Sequence, residues 1–193
     1  MQTWKTLSRT TILDHSKFLR VQDHTVELPD GRVIPNWPWL ITPDYINVVV
    51  MTKDQKFLCF RQTKYAVDGT SLAPVGGYLE PGEDALVTAK RELLEETGYE
   101  SAEWISLGRY AVDGNRGAGV ANFFLALNAR QIQARHADDL EEQVQVLLTR
   151  DEIEQAIANG EFKVLAWSAI MALALLYLDR RPNHPTIQRP NQL

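Results

Sequence analysis

Seven consecutive residues, Tyr45-Ile46-Asn47-Val48-Val49-Val50-Met51, form a strongly apolar, β-branched run. A run of this kind suits a strand covered on both faces, so it is expected to be a central strand of a sheet. Phe57-Leu58-Cys59-Phe60-Arg61-Gln62 follows after the polar stretch Thr52 to Lys56, and the two read as a hairpin. The chain has 193 residues, of which 45% are hydrophobic and 23% charged, which is enough for a sizeable core and excludes disorder throughout.

Ahead of this hairpin, Phe18 to Gln22 and Thr25 to Leu28 carry short extended patterns with a turn signal at Pro29-Asp30-Gly31. They read as a small antiparallel unit, too small to stand alone. A loop rich in Gly, Pro and small residues gives way at Asp84 to helical periodicity, with Leu86, Ala89, Leu93 and Thr97 at three- and four-residue steps and Gly98 as the stop. Strand patterns return at Ile105 to Tyr110, Asn122 to Leu127 and Val144 to Thr149. The last follows the polar stretch Asn128 to Gln143, read as a long, functional loop. Thr149-Arg150-Asp151-Glu152 is a capping-box signature for a helix ending at Gly160, and Lys163 to Asp179 makes a final helix. Its uncharged stretch is shorter than the roughly 20 residues a membrane span requires, so it is expected to be buried or interfacial. The element order predicts an α/β fold, a mixed sheet covered by helices on both faces. It divides into an antiparallel β extension over residues 1–42, a main domain over 43–180 and a loose tail over 181–193.

Twenty Lys and Arg against 25 Asp and Glu leave a formal charge of −5. That gives no general electrostatic reason to bind nucleic acid or an anionic membrane, so an anionic substrate would need metal ions or a few focused arginines. The single cysteine, Cys59, excludes an internal disulfide, and His15, His24, His136 and His184 lack metal-ligand spacing. The opening Met1 to Thr6 has no apolar core of signal-peptide length behind it. A cytoplasmic, reducing location is expected.

The chemistry concentrates in Gly77-Tyr78-Leu79-Glu80-Pro81-Gly82-Glu83, seven further residues, and Arg91-Glu92-Leu93-Leu94-Glu95-Glu96-Thr97-Gly98-Tyr99. On a helix, Glu92, Glu95 and Glu96 share one face while Leu86 and Leu93 occupy another. Three carboxylates on one face repel each other unless a cation sits among them. Arg91 is one such cation, at i,i+4 from Glu95 and within reach of Glu83. Divalent ions would serve the remaining carboxylates, and oxygen-only ligands favour Mg²⁺, or Mn²⁺, over zinc. Gly76, Gly77 and Gly82 allow a tight lead-in whose carbonyls can approach a metal.

In these residues the chain resembles the Nudix hydrolase family, whose box runs Gly, five residues, Glu, seven residues, Arg-Glu, an aliphatic, any residue, Glu-Glu, any residue, Gly and an aliphatic. Gly77, Glu83, Arg91, Glu92, Leu93, Glu95, Glu96 and Gly98 match, and Tyr99 departs at a packing position. The resemblance implies an α/β/α sandwich and metal-assisted hydrolysis of a nucleoside diphosphate linked to another moiety. It implies Glu92, Glu96 and the Gly76 carbonyl as metal ligands with Glu95 nearby, and Glu83 as the residue that orients Arg91 and the carboxylates.

Phe60 to Tyr65 and Leu72 to Glu83 resemble the ADP-ribose and nucleoside-diphosphate-sugar pyrophosphatase branch, as does the N-terminal extension. The branch implies a homodimer built through that extension. It also implies a glutamate on a late loop acting on the attacking water, for which Glu142 is the positional match and Glu141 the fallback; a solvated acidic loop is the other reading. Arg61 reads either as a phosphate contact or as a surface strand-end arginine. Trp37 and Trp39 read as adenine-stacking residues across a dimer, or as packing residues. Residues 111–119, Ala-Val-Asp-Gly-Asn-Arg-Gly-Ala-Gly, stand where many ADP-ribose pyrophosphatases have a Ser-Pro-Gly-type loop. With Arg116 they form an anion-binding loop or a flexible hairpin turn. A house-cleaning hydrolase of modified nucleoside triphosphates and a non-catalytic nucleotide-binding module are the alternatives.

Overall fold

The computed structural model describes residues 1–135 and 142–180. In chain order the elements are β1 (Lys5–His15), β2 (Leu19–Glu27), β3 (Val33–Ile41), β4 (Tyr45–Thr52), β5 (Phe57–Lys64), β6 (Val67–Ala73), β7 (Val75–Tyr78), α1 (Ala85–Thr97), β8 (Tyr99–Glu100), β9 (Glu103–Asp113), β10 (Gly117–Gln131), β11 (Gln143–Leu148), α2 (Arg150–Ala158) and α3 (Leu165–Asp179). The main strand order is β1-β2-β3-β10-β4-β5-β11. β10 runs parallel to β3 and β4, and the other pairings are antiparallel, so the sheet is mixed as expected.

The apolar run at 45–51 is the heart of this sheet. Every residue of β4 from Ile46 to Thr52 is buried, so both of its faces are covered. α1 and α3 both pack against it. The core joins β4, β5 and β10 to Ala89 and Leu93 of α1 and to Ile170, Met171, Ala174 and Leu178 of α3. α3 therefore packs one face on the core, and among the described residues no helix is long and apolar enough to cross a membrane. The capping box opens α2 as its sequence predicts: the Glu152 carboxylate accepts from Thr149 N at 2.7 Å, while Thr149 Oγ1 accepts from Glu152 N at 3.2 Å.

Three sequence expectations change. The two extended patterns at 18–22 and 25–28 are one strand, β2, and the Pro29-Asp30-Gly31 turn leads onward into β3. The Gly- and Pro-rich stretch before α1 is not all loop, because β6 pairs with β5 and β7 with β4, which satisfies its backbone groups. The polar loop expected from Asn128 is shorter, since β10 continues to Gln131. There it pairs with β8, and Arg130 Nη2 bonds Glu100 Oε1 at 2.6 Å, so cross-strand polar pairs stand in for apolar ones. Residues 136–141 and the tail at 181–193 lie outside the described residues, as do His136, Glu141 and His184.

The N-terminal strands are joined to the rest by the β9–β10 turn. Leu40 N donates to Arg116 O at 2.8 Å, and Trp37 Nε1 donates to Asn115 O at 2.7 Å. Gly117 has φ +84, and a Cβ there would lie 2.8 Å from the Trp39 ring and 2.9 Å from Leu40 O. Gly117→Ala should therefore destabilise the protein by about 2 kcal/mol through backbone strain and overlap. For a chain of this size that lowers the thermal midpoint by roughly 4–8 °C, readable by circular dichroism.

The capping box also has a pH signature. Hydrogen bonds from the Thr149 backbone hold the Glu152 carboxyl below its ordinary range. A group with a depressed folded pKa contributes stability above its unfolded pKa and loses it as pH falls through the folded value. Wild type should thus be more stable than Glu152→Gln at pH 7, and the gap should close below about pH 4 in parallel thermal melts.

Candidate active site

α1 places the acidic residues by its two caps and its buried stripe. The Asp84 carboxylate accepts from Leu86 N at 2.9 Å and Val87 N at 3.1 Å. Gly98, at φ +75, returns its N–H to Leu94 O, and a Cβ there would lie 2.2 Å from Gln133 O. Ala89, Leu93 and Thr97 are buried, which fixes the helix rotation. Glu92 and Glu96 then lie half-buried beside the sheet, while Glu95 is exposed.

Arg91 is the electrostatic hub. Its Nε and Nη2 reach Glu83 Oε1 and Oε2 at 3.3 and 3.4 Å, and its Nη1 donates to Glu92 Oε1 at 2.8 Å and Glu95 Oε2 at 3.0 Å. One guanidinium thus ties three carboxylates together, a task its planar fork of donors suits and a lysine ammonium does not. Its hydrogen bonds hold the Glu83 carboxyl below its ordinary range, helped by the Glu80 N–H, and Glu83 in turn raises the Arg91 pKa further. Glu92 moves the other way: burial raises its pKa, outweighing the attraction of Arg91.

β7 passes over this cluster as a strand with two glycines. A Cβ at Gly77 would lie 2.3 Å from Glu92 Cδ and Oε1, so the backbone rests directly on that carboxyl group. A Cβ at Gly76 would lie 2.6 Å from Asn47 Nδ2, on the neighbouring strand where Asn47 and Gly76 are register partners. Two clefts meet along β7. One, of about 420 Å³, is bordered by Glu96, Gly76, Gly77, Asn47, Gln62 and Trp167; the other, of about 740 Å³, by Glu92, Arg91, Glu83, Tyr78, Phe18 and Lys17. Tyr78 borders both. Across the strands lies Tyr45, whose hydroxyl pKa is raised by burial and then by Tyr78.

Among the described residues no three His, Cys, Asp or Glu side chains converge as a ready metal cage. A cation here would need a backbone oxygen as well as carboxylates. Gly76 and Glu96 share one cleft, and Glu92 lies against the backbone of Gly77, so an all-oxygen set of two carboxylates and a carbonyl fits a hard divalent ion.

The remaining sequence candidates are not gathered into these clefts. Arg61 pairs with Glu161 at 3.0 Å, Trp37 packs edge-on against Trp4, and Trp39 stacks on His24. Arg116 pairs with Asp113 at 3.3 Å within its hairpin turn. Glu142 is exposed and immediately precedes Gln143, which borders the smaller cleft. Sequence reading missed Asn47, Gln62, Trp167, Phe18 and Tyr78. Arg135 was missed too: it donates to Gln143 O at 3.2 Å and lies over the Phe60 ring. Only Asn47 carried a signal, as the lone polar side chain inside an apolar run.

Residues 42–182 match the model of the NUDIX domain, and residues 4–40 match that of the nucleoside diphosphate sugar hydrolase N-terminal domain. The chain is 27% identical to a methanol dehydrogenase activator of Bacillus methanolicus over 91% of this chain and 94% of that protein. It is 25% identical to an ADP-ribose pyrophosphatase of Bacillus subtilis (strain 168) over 91% and 92%. A crystal structure of an ADP compounds hydrolase superposes with a TM-score of 0.78 at 18% identity, covering 93% of this chain and 96% of that one.

The contact of Gly77 with Glu92 yields a direct test. Gly77→Ala must push Glu92 away from Arg91, at a cost of about 1–3 kcal/mol for overpacking. Denaturant unfolding should show the loss, whereas Gly114→Ala, where a Cβ meets nothing within 4 Å, should be nearly neutral.

Proposed function

The chain belongs to the Nudix family and is a Nudix hydrolase; from that premise we propose that it hydrolyses the diphosphate bond of ADP-ribose or a related nucleoside diphosphate sugar, giving a nucleoside monophosphate and a sugar phosphate. The observation that carries this reading is the pair of clefts meeting at Tyr78, with Glu92 bordering one and Glu96 the other. A substrate with a charged centre and a bulky group at each end matches that plan. The domain matched by the first forty residues, described as belonging to nucleoside diphosphate sugar hydrolases, points the same way.

Nudix hydrolases use divalent cations, and Mg²⁺, with Mn²⁺ as a substitute, is the proposed ion here. Glu92, Glu96 and the Gly76 carbonyl would hold it, with Glu95 nearby, and when bound it would neutralise diphosphate charge and make a bound water more acidic. The chain's own residues do the rest. Arg91, anchored by Glu83, keeps the carboxylates in one orientation before substrate arrives, so that no reorganisation is needed at the moment of reaction. Glu142, exposed at the entrance to β11, is the proposed acceptor of the proton from the attacking water, with Glu141 as its fallback. β1, exposed along all 11 residues and at the end of the strand order, is the proposed homodimer edge. Burial of the sole cysteine, with its thiol pushed up to about 12, leaves no reactive thiol, and a cytoplasmic location is proposed on the absence of paired cysteines in the sequence.

The test is product analysis with Mg²⁺ and a panel of ADP-ribose, other nucleoside diphosphate sugars, dinucleotides and triphosphates. AMP and ribose phosphate should form from ADP-ribose, and Glu96→Gln should lower turnover by at least about 100-fold without unfolding the protein. Pyrophosphate released from a triphosphate, with the sugars untouched, would replace this reading with the triphosphate one.

A further inference from the structure

Asn47 is a buried carboxamide in the middle of the most apolar strand of the protein. It is 4% exposed, lies between Ile46 and Val48, both at 0%, and its neighbour across the strands is Gly76. Among the described residues its only hydrogen bond is a long one, Nδ2 to Val75 O at 3.5 Å, and its Oδ1 is buried with no donor. A buried, unsatisfied carbonyl costs about 1–3 kcal/mol relative to a satisfied one. Valine, the residue at 48, 49 and 50, would pack there and pay no such penalty. Packing does not explain the residue.

The surroundings point to a ligand. Asn47 forms part of the wall of the 420 Å³ cleft that also contains Glu96 and Gly76, and Gly76 has no side chain where the amide of Asn47 sits. The terminal torsion of an asparagine is soft, so a small rotation brings Oδ1 to a donor entering the cleft. The polar wall groups include Gln62 and Gln143, two more carboxamides, with Tyr45 and Lys64. Carboxamides present a donor and an acceptor side by side, which complements hydroxyl groups that are themselves both. Aromatic rings line both clefts, and Tyr78 is shared; on the side of the larger one Tyr78 pairs with Phe18 at 5.8 Å, both half-exposed, so that a planar base has ring surface outside the carboxamide-walled cleft.

We infer that the cleft walled by Asn47, Gln62 and Gln143 takes the sugar phosphate half of the substrate, and that Asn47 Oδ1 accepts a hydrogen bond from a sugar hydroxyl there. This rests on the nucleoside diphosphate sugar reading and adds to it the residue that recognises one half. In the free protein the orphan acceptor costs stability, and the ligand supplies its missing donor.

The test compares Asn47→Val with Asn47→Thr, which have nearly the same shape and differ by one hydroxyl. Calorimetric binding of ribose 5-phosphate and of AMP is measured for wild type and both variants, alongside thermal melts. Ribose 5-phosphate binding should weaken about 10-fold or more in Asn47→Val and less in Asn47→Thr, with AMP binding unchanged and the Asn47→Val melting midpoint equal to or above wild type. Weakening of AMP instead would overturn the assignment of the cleft. Unaltered sugar phosphate binding, or none by wild type, would overturn the role of Asn47, as would a lower midpoint in Asn47→Val, the mark of a structural amide. These readouts need no turnover, so a wild type that binds as expected yet hydrolyses nothing would overturn the proposed reaction and not the assignment of Asn47.

Discussion

The site depends on a strand thin enough to pass between two side chains. At β7 the backbone of Gly77 rests on the Glu92 carboxyl group, and the neighbouring Gly76 lies under the amide of Asn47. A side chain at Gly77 would displace the Glu92 carboxyl group, and one at Gly76 the Asn47 amide. This close approach brings the acidic face of α1 against backbone carbonyls and lets two clefts meet at one line. The carboxylates, the clefts and the glycines are consequences of a single steric condition.

Electrostatics works within that frame. Burial pushes Glu92 toward its protonated form while Arg91 pulls it back, and the balance lies with burial. Glu83 is on the other side of the same guanidinium and gains from it. Carboxylates sharing one cation thus have environments that move their pKa values apart. Where one carboxylate is desolvated and another is favoured by the same guanidinium, a further positive charge would relieve the desolvated member most.

The N-terminal strands contribute more than an appendage would. They are fastened through Trp37, Trp39 and Leu40 to the β9–β10 turn, and through the turn after β1 they bring Lys17 and Phe18 to the wall of the larger cleft. Residues 114–116 connect β9 to β10, and Gly117 makes room for Trp39 and Leu40 of the docking strand. Sequence could not decide this, since the partner of Gly117 is Trp39, far away along the chain.

Much of the site was legible because its spacing is local. Glu92, Glu95 and Glu96 fall on one helical face by the 3.6-residue repeat, Arg91 reaches Glu95 one turn away, and the capping residues Asp84 and Gly98 act within their own helix. The apolar run at 45–51 announced its own burial on both faces. What the tertiary structure decided was pairing over distance. It made strands of the glycine-rich segment before α1 by supplying β4 and β5 as partners, and it paired Arg61 with Glu161. It set Asn47 against Gly76 and turned Phe18 and Tyr78 toward one groove. Residues adjacent in sequence constrain each other through bonds and dihedral angles, which a sequence displays. Residues adjacent only in space constrain each other through volume and unmet hydrogen bonds, and these exist only once the chain has folded.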